Sequence, residues 1–239
     1  MEKKAILNSY LRIRKLIGTL GILLPILVFS FHRDLLASIS HYYYTESAVF
    51  FIAILSAFGF FLISYRGYDK DPSKEMLSDN IITNISGFAV LIVVLIPTSC
   101  SESGSDIIAK TICDTVNYPM FGHNQPLWNM IHLVSAAIFL FTMGWMSIFR
   151  FTRTTNREEK KFENAIYKCC GYAVWVCIAI LLVQFVGEKL GVDLHLTVYD
   201  VFILETISVG AFGLSWLIKG KALEDIVAFN KAVFGARKK

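Results

Sequence analysis

Six apolar runs, each 16 to 22 residues long, dominate this sequence and are separated by polar segments. The hydrocarbon core of a bilayer is about 30 Å thick, and an α-helix needs about 20 residues to cross it. A helix satisfies its own backbone hydrogen bonds, so runs of this length favour membrane-spanning helices. The runs cover residues 16–31, 47–64, 81–97, 130–149, 165–186 and 198–218.

Positive charge is concentrated on one side of these runs. If successive runs cross a membrane in opposite directions, 20 Lys and Arg residues lie on the side of the two termini. Only Arg33, Lys110 and Lys189 lie on the other side. Cytoplasmic loops carry such an excess of basic residues, so we predict that both termini are cytoplasmic.

The composition indicates one membrane domain. Hydrophobic residues make up 55% of the 239 residues and charged residues 18%, whereas soluble domains contain about 25% charged residues. We predict an all-α bundle of six transmembrane helices over 1–239, with an extracytoplasmic loop at 98–127 and a basic amphipathic tail at 219–239. The predicted helices are 12–31, 46–65, 80–97, 128–150, 163–187 and 198–218. No small-x-small cleavage site follows the first run, so we expect it to remain uncleaved.

The net charge differs between the two predicted faces. The outer face has three basic and nine acidic residues, a net charge of −6, and the inner face has 20 basic and ten acidic residues, a net charge of +10. A basic inner face suits anionic headgroups of the cytoplasmic leaflet. The basic residues are spread over four segments, which argues against binding of nucleic acid.

Two of the five cysteines, Cys100 and Cys113, fall in the predicted outer loop. An oxidising compartment permits a disulfide between them, and closing a loop of this length would contribute about 3 kcal/mol of stability. The alternative is two free thiols. Cys169, Cys170 and Cys177 lack metal-ligand spacing and are expected to pack within the fifth helix.

On the predicted outer side, two ionisable residues lie deeper in their helices than the others. Glu205 is about two turns into the sixth run, and His132 is about one turn into the fourth. Ionisable groups at membrane depth are costly and usually functional. A buried structural hydrogen bond is the alternative for each, and a histidine of this kind is more often a packing residue.

Further polar residues fall at the same predicted depth, in the outer half of the bundle. They predict a ligand-binding pocket that opens toward the outer leaflet, although polar helix ends alone would give the same pattern. The predicted pocket residues, with an aromatic rim from residues 42–44, are Glu205, His132, Glu46, Gln184, Asp200, Tyr43, Tyr44 and Ser135.

Catalytic and metal-binding motifs give little support for a specific chemistry. The sequence has no phosphate loop, dinucleotide fingerprint, H-E-x-x-H or G-x-S-x-G. His132 with nearby carboxylates could form a mixed nitrogen and oxygen metal site, but no ligand spacing supports it, and we expect no cofactor. A Ser135–His132 nucleophile pair lacks a third orienting group.

Three motifs lie between residues 40 and 98: Tyr-Tyr-Tyr-Thr at 42–45, Phe-Phe-Leu-Ile-Ser-Tyr-Arg-Gly-Tyr-Asp at 60–69, and Asn80 followed by Asn-Ile-Ser-Gly at 84–87. This stretch resembles small, uncharacterised bacterial six-helix integral membrane proteins. The resemblance implies a multi-pass protein of the bacterial inner (plasma) membrane and no particular activity. The chain is loosely similar to membrane hydrolases of the ceramidase and adiponectin-receptor type, which place Ser, Asp and His around zinc. It has six predicted helices instead of seven and lacks their paired histidines on the last helix.

Three functions are compatible with these observations. The first is binding of a membrane lipid or small amphiphile in the outward-facing pocket. The second is a membrane-embedded hydrolase or transferase that uses His132 and carboxylates, with or without a metal. The third is a non-catalytic structural or assembly subunit, with a homo-oligomer or another membrane protein as partner. A transporter is less favoured, because six helices show no visible inverted repeat.

Overall fold

The computed structural model describes residues 2–67, 78–99, 125–153 and 160–226. Within these ranges the chain is helical and contains no β-strand, so the all-helical prediction is confirmed. A 3₁₀-helix (Ile39–Tyr44) precedes the second α-helix, and the fourth continues as a π-helix (Met146–Phe151). The α-helices are α1 (Glu2–His32), α2 (Ala48–Ser64), α3 (Asp79–Leu95), α4 (Pro126–Trp145), α5 (Lys161–Lys189) and α6 (Asp200–Lys219).

Four of the described helices are long and apolar enough to cross a membrane, and they are Lys4–His32, Pro126–Phe151, Lys161–Lys189 and Asp200–Lys219. The apolar helices α2 and α3 have 17 residues each. At 1.5 Å per residue each of them is about 25 Å long, somewhat shorter than the hydrocarbon core. Six membrane spans and cytoplasmic termini therefore stay predictions.

The exterior of the helices is rich in large apolar side chains. Phe60 on α2, Phe88 on α3, and Val176 and Leu182 on α5 are all more than half exposed. Monomeric soluble proteins rarely expose apolar surface on this scale. This surface fits a helical protein surrounded by lipid.

The six helices pack in a closed ring in chain order. Each helix contacts the next one along the chain, and α6 returns to pack extensively on α1. Glycines permit the closest approach: a Cβ atom added to Gly213 on α6 would lie 2.6 Å from the carbonyl oxygen of Gly18 on α1. Gly59 and Gly87 pair in the same way between α2 and α3. Small residues at such crossings are typical of packed membrane helices.

Aromatic side chains fill the centre of the ring. Phe212 of α6 packs between Phe58 of α2 and Phe139 of α4, with ring centroids 4.9 and 5.7 Å from its own. Trp216, one turn further along α6, is 1% exposed. This packing fixes α6 within the bundle, and α6 positions the carboxylate described below.

A buried ion pair lies at the end of the bundle that the charge distribution predicts to be cytoplasmic. Asp79, at the start of α3, is 2% exposed and lies 3.2 Å from Nε of Arg150 in the π-helix. Nη1 of Arg153 is 3.9 Å from the same carboxylate oxygen. These contacts connect α3 to the end of α4.

The helix bounds differ from the predicted ones chiefly in α1, which begins at Glu2 instead of residue 12. Its first ten residues lack the continuous apolar character on which the prediction depended, but most of them are good helix formers. Residues 222–226 begin a helical segment in the predicted tail, and the rest of the tail lies outside the described residues. Cys100, Cys113 and most of the predicted 98–127 loop also lie outside them.

Candidate functional site

The connector between α1 and α2, residues 33–47, is held in place by specific hydrogen bonds at the end of the bundle predicted to be outer. Ser38 caps the 3₁₀-helix, because its hydroxyl accepts a hydrogen bond from the Ser40 amide. The hydroxyl of fully buried Tyr42 donates to the carbonyl of Asp34 at 2.8 Å. The Tyr44 hydroxyl donates to the carbonyl of Thr98, beyond the end of α3. The connector is therefore a fixed part of the bundle end.

Helix α6 contacts this connector through its first two turns. The amide of Phe202, near the start of α6, donates to the carbonyl of Ala37 at 2.8 Å. The first amides of a helix have no partner within the helix, so the connector satisfies one of them. This contact brings Glu205, three residues further along α6, beneath the 3₁₀-helix.

The Glu205 carboxylate accepts two hydrogen bonds from the connector. Its Oε2 accepts from the Ser38 hydroxyl at 2.8 Å and from the Ile39 amide at 2.6 Å. Oε1 has no hydrogen-bond partner among the described residues, which leaves it available to a ligand.

His132 on α4 is 1% exposed and has a partner at each ring nitrogen. Nδ1 lies 2.6 Å from the carbonyl oxygen of Ile96 and Nε2 lies 3.0 Å from the Ser40 hydroxyl. A carbonyl oxygen can only accept, so Nδ1 carries the proton. In the neutral ring Nε2 then accepts from Ser40.

A continuous hydrogen-bond path therefore joins the two residues that the sequence singled out. It runs from His132 to the Ser40 hydroxyl, from the Ser40 amide to the Ser38 hydroxyl, and from that hydroxyl to Glu205. The two connector serines join helices α4 and α6.

His132 and Glu205 also line one cavity, with a volume of about 560 Å³. Of its 18 lining residues 12 are polar, which is unusual so close to apolar helices. The polar lining residues are Ser38, Ser40, His41, Thr98, Ser99, Asn129, His132, Glu188, Asp193, His195, Thr197 and Glu205. They come from the connector, from the chain after α3, from α4, and from the end of α5 and start of α6.

A smaller apolar cavity of about 50 Å³ lies deeper in the bundle. It shares three lining residues with the larger cavity: Ser40, Ala136 and Glu205. Its other lining residues are aliphatic or aromatic, among them Leu24 and Phe139. The polar cavity and the smaller apolar cavity are therefore adjacent, and the apolar one lies deeper in the bundle.

Acidic side chains line the larger cavity. Glu188, Asp193 and Glu205 line it, and none of its described lining residues is Lys or Arg. Asn129 adds a neutral donor, because its side-chain oxygen accepts from the Thr98 hydroxyl and the Ser99 amide, each at 2.9 Å. Its side-chain nitrogen has no partner among the described residues. This lining favours a neutral or cationic polar group over an anion.

Six of the eight predicted pocket residues do not line this cavity. Gln184 and Asp200 bond to each other, with the Gln184 amide nitrogen 3.0 Å from an Asp200 oxygen. Asp200 also accepts from the amides of Leu196 and Thr197, which shapes the turn before α6. Ser135 is buried on α4 outside the cavity lining, and the other three are Glu46, Tyr43 and Tyr44.

Glu46 lies at the surface, with its side chain 65% exposed, and pairs with His32 at 3.2 Å. A hydrogen bond with its own backbone, and secondarily His32, hold the pKa of the Glu46 carboxyl below its ordinary value. This carboxylate is therefore ionised at neutral pH and stabilises the connector next to the site instead of lining the cavity.

Sequence reasoning missed Ser38, Ser40, Thr98 and Ser99 as site residues. Serine and threonine in short segments between apolar runs are typical of turns and helix caps, so these four gave no signal of their own. The proximity of Ser40 to His132 depends on the packing of α4 against the connector, which spacing within one helix cannot reveal.

Among the described residues no group of three or more His, Cys, Asp and Glu side chains is arranged to hold a metal ion. His195 comes nearest to such a group, with Nε2 3.0 Å from Glu188 and Nδ1 3.8 Å from Asp200. Those contacts hold the α5–α6 turn at the edge of the cavity.

Comparison of the chain with models of protein families, with characterised proteins and with solved structures finds no significant match.

Proposed function

We propose that this chain is an integral membrane protein that binds a small amphiphile in the cavity between Glu205 and His132. The observation that carries the proposal is that these two ionisable residues, the deepest on the predicted outer side, line one cavity of about 560 Å³. That volume is within the range of small-molecule sites. A lone structural hydrogen bond would need no such space.

The chemistry of the lining indicates the class of ligand. Three carboxylates without a Lys or Arg disfavour an anionic headgroup. The free oxygen of Glu205 accepts a hydrogen bond from a hydroxyl or an ammonium group, and the Asn129 amide donates one. The adjoining apolar cavity of about 50 Å³ accommodates part of an apolar chain next to the polar cavity. The ligand is thus a neutral or cationic amphiphile with a hydroxyl-bearing head.

A binding experiment with two matched probes tests this proposal. The purified protein in nanodiscs is titrated with octylglycerol, a neutral ether, and with octyl phosphate, which has the same chain and an anionic head. We expect saturable binding of octylglycerol and at least a tenfold weaker affinity for octyl phosphate. Absence of saturable octylglycerol binding would overturn the proposal, and equal affinities would overturn the charge argument.

Two variants on α4 provide a control for the site. Ala136 lines both cavities, whereas Ala137 is exposed on the outside of the same helix. Ala136→Phe fills the space and should abolish octylglycerol binding while the protein stays folded. Ala137→Phe adds the same side chain outside the cavity and should bind as wild type does. If both variants bind equally well, the cavity is not the site, and the structural-subunit hypothesis becomes the better account.

A further inference from the structure

Ser40 and His132 have the geometry of a nucleophile and its general base. The Ser40 oxygen lies 3.0 Å from His132 Nε2, within the distance at which a base can take a hydroxyl proton. The Ile96 carbonyl holds the opposite nitrogen, Nδ1, at 2.6 Å. It fixes both the tautomer and the ring orientation, which is the task of the third group in serine hydrolases.

The reacting atoms are accessible to a bound ligand and protected from bulk solvent. Ser40 is 8% exposed and His132 1% exposed, and both line the cavity of about 560 Å³. Ser40 also lines the small apolar cavity, so it lies where the polar and apolar parts of an amphiphile would meet. In an ester that joins an apolar acyl chain to a polar alcohol, the carbonyl group lies at that junction.

A hydrogen-bond donor suited to the oxyanion of acyl transfer lies one turn before His132 on α4. Asn129 precedes His132 by three residues on α4, so the two side chains share a face. Its side-chain oxygen accepts hydrogen bonds from Thr98 and Ser99, which fixes the plane of the amide. The NH₂ group has no partner among the described residues and is therefore available as a donor. Preorganised donors of this kind contribute a large share of catalysis in acyl transfer.

We propose that Ser40 and His132 hydrolyse or transfer the acyl group of a small neutral carboxylic ester bound in this cavity. The inference rests on the proposed binding function and adds a reaction to it. The Ser40 oxygen attacks the ester carbonyl carbon while its proton passes to His132 Nε2, giving a tetrahedral oxyanion that the Asn129 amide stabilises. When the C–O bond to the alcohol breaks, His132 returns the proton to the leaving alcohol. Water, or a second alcohol, then attacks the acyl-serine with proton transfer through His132, which releases the acid or the new ester and restores Ser40.

A covalent probe tests the nucleophile directly in the wild-type chain. The full-length protein in nanodiscs is treated with a fluorophosphonate, which transfers its phosphonyl group to activated serines, and the modified residue is located by peptide mass spectrometry. We expect one phosphonyl group per chain, on Ser40. Absence of labelling, or labelling at another serine, would overturn the inference without depending on any variant.

Hydrolysis of 1-octanoylglycerol, the ester counterpart of octylglycerol, tests the reaction. Ser40→Ala should lower the rate at least 10³-fold, and His132→Gln about 10²- to 10⁴-fold. Ser135→Ala removes a buried hydroxyl from the same face of α4 and should leave the rate within twofold. Equal rates in wild type and Ser40→Ala would contradict the inference.

Octylglycerol cannot be cleaved, so its binding separates the two proposals. Ser40→Ala that still binds octylglycerol saturably, yet neither hydrolyses the ester nor reacts with the fluorophosphonate, supports both. Wild type that binds octylglycerol without reacting with either compound refutes the catalytic inference and leaves the binding function intact. Wild type that fails to bind octylglycerol refutes the binding function itself.

Discussion

Replacing Glu205 should destabilise the protein by an amount that depends on whether the new side chain can still accept hydrogen bonds. Alanine removes the acceptor for the Ser38 hydroxyl and for the Ile39 amide, at 2.8 and 2.6 Å. Ile39 is 4% exposed, so its amide loses its partner without gaining water. An orphaned buried group costs about 1–3 kcal/mol, and each hydrogen bond contributes about 0.5–1.5 kcal/mol. We expect Glu205→Ala to lower the free energy of unfolding by about 3 kcal/mol.

Glutamine keeps an acceptor oxygen in the same place. Glu205→Gln should therefore lower the free energy of unfolding by only about 1 kcal/mol, since the Ser38 hydroxyl and the Ile39 amide both keep an acceptor. Glu46→Gln is the control, because Glu46 is 65% exposed and pairs only with His32 among the described residues. An exposed pair contributes about 0–1 kcal/mol.

A double-mutant cycle with Ser38→Ala isolates the Ser38–Glu205 contact. Hydrogen bonds between membrane helices average about 0.6 kcal/mol in such cycles and reach about 1.7 kcal/mol. Because both groups are buried, we expect a coupling of about 1 kcal/mol for this contact. Reversible unfolding by sodium dodecyl sulfate in mixed micelles, followed by circular dichroism, gives the four free energies. Equal stability of the Ala and Gln variants, with coupling below about 0.3 kcal/mol, would refute the geometry of this contact.

Three further predictions concern the bundle. Gly213→Ala should lower the free energy of unfolding by about 2 kcal/mol or more, because its Cβ would meet backbone atoms of α1. The control Gly210→Ala meets nothing within 4 Å and should be neutral or slightly stabilising in the same unfolding assay. Asp79→Asn should cost about 3 kcal/mol, since two arginines then lose a buried counter-charge; a loss below 1 kcal/mol would contradict this ion pair. In intact cells, with the five native cysteines replaced by alanine, an impermeant maleimide should label Asp193→Cys and not Glu224→Cys, and the reverse pattern would invert the predicted topology.

The helices follow from the sequence because hydropathy and length largely determine which segments can form membrane helices. The packing of the helices against one another could not be predicted in this way. The ring closes where Gly18 and Gly213 allow α1 and α6 to approach, and these residues are far apart in the chain. The start of α1 was missed because the prediction followed continuous apolar runs, whereas residues 2–11 mix apolar residues with charged and polar ones.

Depth in the apolar runs identified His132 and Glu205, since an ionisable side chain there needs a partner. It did not identify the partners, because Ser38 and Ser40 belong to a connector whose residues have ordinary turn chemistry. Depth also does not fix direction around a helix. Gln184 lies at the predicted level, yet its side chain contacts Asp200 and does not line the cavity.

The most direct test of the account is to locate the bound amphiphile itself. An alkylglycerol ether with a diazirine in its chain is photolysed on the wild-type protein in nanodiscs, and the crosslinked residues are mapped by mass spectrometry. The account predicts crosslinks within residues 37–41, 129–136 or 193–205 that excess octylglycerol suppresses. Crosslinks spread over exposed residues such as Val176 and Leu182, and insensitive to octylglycerol, would contradict it.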